Sequence, residues 1–171
     1  MEQVKWFNRR FDFTTDQNIF PLIIERLRGT PVRLEEKIRN MSPAVLERRV
    51  GDTWSIKEHI GHLTDLEPLW QGRLEDILEG KEMLRVADLQ NTMTNEADLN
   101  ATPVHELLRR FRDVRNVTVG LLEELGEAQV FASALHPRLN SPMRTMDLFL
   151  FVTEHDDHHL VRVTELKRIF S

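Results

Sequence analysis

Leu148-Phe149-Leu150-Phe151-Val152-Thr153-Glu154-His155-Asp156-Asp157-His158-His159-Leu160 is the stretch that decides the fold. Residues four apart in a helix lie one turn above the other, so His155 and His159 point two imidazoles at one spot. Leu148, Val152, His155, His159, Val163, Leu166 and Phe170 step by three or four, the inward stripe of an amphipathic helix. Both histidines sit mid-stripe, where apolar side chains are expected. That placement suits a transition metal better than packing. His158 lies about 100° round the helix from His159, at the stripe's edge, and reads as a solvated or supporting residue.

Working outward, the punctuation is helical. Thr30-Pro31, Ser42-Pro43, Thr102-Pro103 and Ser141-Pro142 each read as a helix start, with the hydroxyl residue as N-cap. Ser55 followed by Glu58 reads as a capping box. Runs of alternating β-branched residues and short hairpin signals are absent. The spacing predicts long helices over 17–28, 55–79, 103–125 and 143–169, a shorter one over 31–40 and a turn at 43–48. Gly29, Gly80 and Gly126 suit helix C-termini, and 81–101 and 127–142 read as loops. Pro68 falls inside the second long helix, where it removes a backbone hydrogen bond and is expected to kink the helix near Thr64. The expected fold is all-α: an antiparallel four-helix bundle with a metal site between helices, formed by one domain over 1–171.

Composition narrows the chemistry. The chain has 171 residues, 40% hydrophobic and 30% charged, as an ordinary globular domain has. Its longest uninterrupted apolar run, Leu148 to Val152, is far short of the ~20 residues that cross a bilayer. Charges break up Met1 to Phe13, which lacks a signal peptide's apolar core, so a cytoplasmic location is expected. A net charge of −5 argues against a nucleic-acid surface. Arg109, Arg110, Arg112 and Arg115 read as a solvated helix face. With no cysteine, thiolate nucleophiles, disulfides and thiolate metal sites are excluded, and any metal must be held by histidine and oxygen. The absence of tyrosine excludes a tyrosine acid or base.

A chemically active metal site commonly has three protein ligands, and the second long helix offers His59 and His62. Its apolar face is set by Ile56, Ile60, Leu63, Trp70 and Leu74; His59 lies nearer the centre and His62 towards the flank. Periodicity slightly prefers His59 and leaves both open. Of the other histidines, His105 reads as exposed and His136 as a loop residue at the site mouth at most. Trp54 and Trp70 read as core anchors. Asp156 or Asp157 is a candidate to orient a ligand's second nitrogen.

Trp54-Ser55-Ile56-Lys57-Glu58-His59-Ile60-Gly61-His62-Leu63, with Asp65-Leu66-Glu67, resembles the signature of the DinB-like proteins. Glu154-His155-Asp156-Asp157-His158-His159-Leu160 is similar to that superfamily's H-x-x-x-H helix. The likeness runs from about residue 16 to 170. It implies a four-helix bundle in which three histidines bind a divalent ion, commonly nickel or zinc. The histidine of the His-Leu pair matches His62, and the other two match His155 and His159; His59 is the reserve.

Characterised members of the wider superfamily include thiol-dependent transferases and isomerases. The resemblance therefore implies a metal-dependent transferase that joins a low-molecular-weight thiol to a small electrophile. The alternatives are a metal-dependent hydrolase and a non-catalytic metal-binding stress-response protein. Expected partners are a small-molecule substrate and the thiol, with no nucleic acid and no membrane; a homodimer is left open. No catalytic residue beyond the ligands is assigned.

Overall fold

Ser55 Oγ accepts a hydrogen bond from the Glu58 N–H, and the Glu58 carboxylate accepts one from the Ser55 N–H, so the expected capping box is in place. It starts one of four long helices in the computed structural model, which describes residues 3–170. These are α1 (Phe20–Ile38), α3 (Ile56–Leu78), α5 (Val104–Glu123) and α7 (Thr145–Phe170), with short helices α2 (Pro43–Leu46), α4 (Thr92–Glu96) and α6 (Glu127–Phe131) between them. The expected four-helix bundle is present, but not every neighbouring pair is antiparallel as was expected. Each long helix packs on two others, in the ring α1–α5–α3–α7.

Contacts across that ring fix the direction of each helix. Trp70 meets Phe151 while His59 meets His159, so α3 and α7 are antiparallel. Glu35 pairs with Arg112 and Arg28 with Glu123, so α1 and α5 are antiparallel too. By contrast, Thr30 meets Asp156 and Lys37 meets Thr164, which makes α1 and α7 parallel. Glu67 with Arg115 and Gln71 with Thr118 make α3 and α5 parallel. A parallel neighbour requires the chain to travel back along the whole bundle, which is what residues 79–103 do. Leu99 packs onto α3 at Gly61, where a Cβ would stand 2.5 Å from the leucine.

Four local expectations are corrected. First, α1 runs unbroken through Gly29, Thr30 and Pro31, with no boundary between 28 and 31. Proline at 31 cannot donate to the Leu27 carbonyl. Arg115 Nη1 does so instead, at 3.3 Å. Second, residues 133–144 form a hairpin: β1 (Ser133–His136) pairs antiparallel with β2 (Ser141–Arg144). Ser141-Pro142 is therefore in a strand and starts no helix. β1 also bonds residues 82–84 on its other side, which leaves β2 at the edge, where proline is tolerated. Third, Gly126 is the N-cap of α6, while Gly80, at φ 70°, closes α3 as expected. Fourth, the 81–101 and 127–142 segments are not bare loops, since α4, α6 and the hairpin lie within them.

Two apolar cores stack along the bundle. One gathers around Leu27, Trp70, Val119, Phe149 and Val152, the other around Leu34, Ile60, Leu63, Phe111, Leu160 and Val163. Between them runs a polar layer: Thr30, Glu67, Arg115 and Asp156, all buried. Arg115 is thus a core residue, correcting the reading of a solvated basic face; Arg109 and Arg110 do lie on the surface. No helix of the described residues is long and apolar enough to cross a membrane.

Candidate metal centre

α3 and α7 face each other where His62, His155 and His159 meet. One ring nitrogen from each lies within 4.8 Å of the others, and all three side chains are buried. His155 Nε2 and His159 Nε2 are 3.1 Å apart. Two nitrogens bound tetrahedrally to one zinc-sized ion at ~2.05 Å lie roughly 3.3 Å apart, so this spacing suits a shared cation. Burial lowers the pKa of His62 to about 4 and those of His155 and His159 well below the usual value, so the rings are neutral at pH 7. Neutral imidazoles are the form that coordinates. The cluster could hold a metal ion.

The surrounding hydrogen bonds select which nitrogen is free. Thr94, from α4, donates to Asp65 Oδ2 at 2.8 Å, so its oxygen accepts from His62 Nδ1–H at 3.2 Å. That leaves the His62 Nε2 lone pair for the cluster. His59 Nδ1 lies 2.8 Å from His159 Nδ1. With His159 Nε2 turned to His155, its Nδ1–H donates to His59, so His59 holds a neighbour's ring in place. Burial lowers the His59 pKa to about 3, which keeps it neutral as well. The buried Nδ1 of His155 has no partner among the described residues.

Neither aspartate orients a ligand, contrary to expectation. Asp156 turns away to Arg115 and Thr30, and Asp157 to Arg26 and Arg33. His105 is exposed and His158 half-buried against Trp6, both as expected.

The histidines form the floor of a cavity of about 580 Å³, walled by Trp6, Trp54, Leu66, Leu69, Trp70 and Phe151. Trp54 is only half-buried and stands 4.5 Å from the His62 ring, so it is a pocket wall, where a core anchor was expected. Trp70 is buried and serves both roles. Trp6 packs edge-on at 4.9 Å from His155, and Arg9 ties that segment down through Glu154 at 2.5 Å. Sequence reasoning missed Trp6, Thr94 and Arg73. His136 is also more than a loop residue: it is buried at the end of β1 and lines the cavity. Thr94 had no signal, because a crossover segment's path is not periodic.

Residues 26–161 match the DinB superfamily. Among solved structures, YfiT from Bacillus subtilis superposes with a TM-score of 0.79 at 20% identity, over 95% of this chain and 93% of that one. YfiT is described as a probable metal-dependent hydrolase with an unusual four-helix bundle topology. No curated protein matches. The family match spans most of the chain, including all three converging histidines, and the chain belongs to the DinB superfamily.

Proposed function

We propose that His62, His155 and His159 hold one divalent ion, nickel or zinc, and that the protein is a metal-dependent transferase acting on a small molecule. The reading is carried by one observation: three neutral ring nitrogens converge at the floor of a cavity walled by apolar side chains. An ion bound there lowers the pKa of a coordinated thiol or water and makes it nucleophilic at neutral pH.

The chain's own part is positional. Thr94 and His59 hold His62 and His159 with their ligand nitrogens turned inward. Trp54, Trp70 and Phe151 exclude bulk water and seat the electrophile. With no cysteine in the chain, the thiol arrives as a cosubstrate. It loses its proton to solvent, its sulfur bonds to the electrophilic carbon, and the leaving group departs with the bonding pair.

The test is conjugation of a low-molecular-weight thiol to 1-chloro-2,4-dinitrobenzene by metal-loaded protein purified without an affinity tag. A panel of thiols should include one that is accelerated, with His155→Ala abolishing the acceleration. An undiminished rate after metal removal overturns the proposal. A second reading, hydrolysis by an activated water, is favoured by the description of YfiT. It predicts metal-dependent cleavage of esters or amides with thiol omitted.

A further inference from the structure

Arg73 lies at the far end of the same cavity from the histidine floor, and its surroundings are unusual for an arginine. Its residue is 2% exposed, yet it makes no ion pair among the described residues. The carboxylate whose charge acts on it, Asp76, is engaged by Lys81 and Arg85. Arg73 Nε donates to the Arg85 carbonyl at 3.0 Å, and Nη1 lies 3.1 Å from His136 Nε2.

That last contact cannot be an ordinary hydrogen bond. His136 Nδ1 accepts the backbone N–H groups of Arg138 and Leu139, at 3.2 and 3.1 Å. The neutral ring's proton is then on Nε2, and two donors face each other. Burial keeps this ring neutral, with its pKa lowered to about 4, and lowers that of Arg73 to about 10. A third basic group, Arg138, stands by, stacked over Phe7 and likewise without a carboxylate partner among the described residues. The one carboxylate lining this part of the cavity, Asp88, accepts from the Gln90 and Thr92 N–H groups. Paired donors with no acceptor between them, in a cavity wall, are a site for an anion.

We infer that the cavity takes an organic carboxylate, whose oxygens accept from Arg73 and from His136 Nε2–H while its other end lies at the histidine cluster. The span fits a short ligand. The Arg73 guanidinium carbon is 5.6 Å from the Trp70 ring, and that ring is 5.9 Å from the His155 ring. One indole separates the two ends. Leu66, Leu69 and Phe151 complete an apolar channel between them, which suits an arylalkyl or alkyl body. The inference rests on the histidine cluster being the reactive end, but the anion site stands on its own donors.

The test is calorimetric titration with 3-phenylpropionate and its neutral isostere 3-phenylpropanamide. The acid should bind at least about tenfold tighter, the order expected for a charge-assisted hydrogen bond. Arg73→Gln should remove that preference, and Arg138→Ala at the rim should reduce it less. Equal affinity for acid and amide in the wild-type protein overturns the inference whether or not the Arg73 variant folds. Repeating the titration after chelation separates the two readings. A preference that survives metal loss locates the carboxylate at Arg73 even if the metal proposal fails. A preference that vanishes puts the carboxylate on the ion and sinks the inference. Glutathione in the same titration tells whose carboxylate is held: dependence on Arg73 for glutathione alone assigns the site to the thiol, against the substrate assignment made here.

Discussion

The bundle buries two polar clusters that share helices α3 and α7, and they are built on opposite principles. Glu67 and Asp156 join Arg115 in a layer where all three side chains are at most 1% exposed and paired. Arg115 reaches Glu67 and Asp156 at 2.6 Å each, while Thr118 donates to the other Glu67 oxygen and Thr30 adds a second donor to Asp156 Oδ2. One residue along α7 from Asp156, His155 leaves Nδ1 without a partner and brings Nε2 within 3.1 Å of another histidine. The first cluster is charged, complete and sealed between two cores. The second is neutral, incomplete and open to a cavity. Completeness separates a polar group kept for the fold from one kept for a ligand.

The contrast should be visible in stability. Burial works against the Arg115 charge, and Asp156 and Glu67 more than offset it. Arg115→Ala leaves two buried carboxylates and the Leu27 carbonyl without their donor, which should cost about 3–5 kcal/mol. His155→Ala in metal-free protein strands no charge and removes an unpartnered nitrogen, so it should stay within about 1 kcal/mol of wild type. Urea denaturation measures both. Similar losses in the two variants break the comparison.

Acid acts on the second cluster next. His62 titrates at about 4 in the folded protein against a reference of 6.5. Between those values the unfolded chain binds the proton and the folded one does not, so stability falls as pH falls through this window and levels off below it. His62 alone should account for about 3 kcal/mol of that loss in metal-free protein. Saturating metal should flatten the profile. Without burial, an imidazole argues for metal release below about pH 6; this burial moves the threshold lower. A melting temperature constant from pH 6.5 to 4 without metal contradicts the assignment of these rings as buried and neutral.

The bundle and the α7 pair were legible because both are periodic. So was Arg115, in retrospect: Leu107, Phe111, Arg115, Val119 and Leu122 step along one face, and all are buried. Its four-arginine neighbourhood suggested a surface, but phase was the better guide. Pro31 misled because a helix tolerates proline when another donor serves the stranded carbonyl, and that donor comes from 88 positions beyond the carbonyl. The hairpin carried no alternating pattern because it is four residues a side, held partly by residues 82–84. His136 and Arg73 were illegible for the same reason: their meeting depends on where that hairpin docks.

The smallest expected effect concerns the histidine that periodicity preferred. His59 lies on the apolar face of α3, but its Nδ1 is taken up with His159 and its Nε2 has no partner among the described residues. The proposal makes it a positioning residue for His159, while His62 contributes a ligand nitrogen. His62→Ala should then remove most bound metal, whereas His59→Leu should weaken binding by about tenfold, as lost orienting partners commonly do. His59→Gln, which keeps an acceptor near the His159 Nδ1–H, should recover part of the loss, and a purely structural role for His59 gives no such rescue. Metal titration against a competing chelator resolves these cases. If His59→Leu abolishes binding and His62→Ala does not, helix phase was the correct guide, and Thr94 would be orienting a bystander.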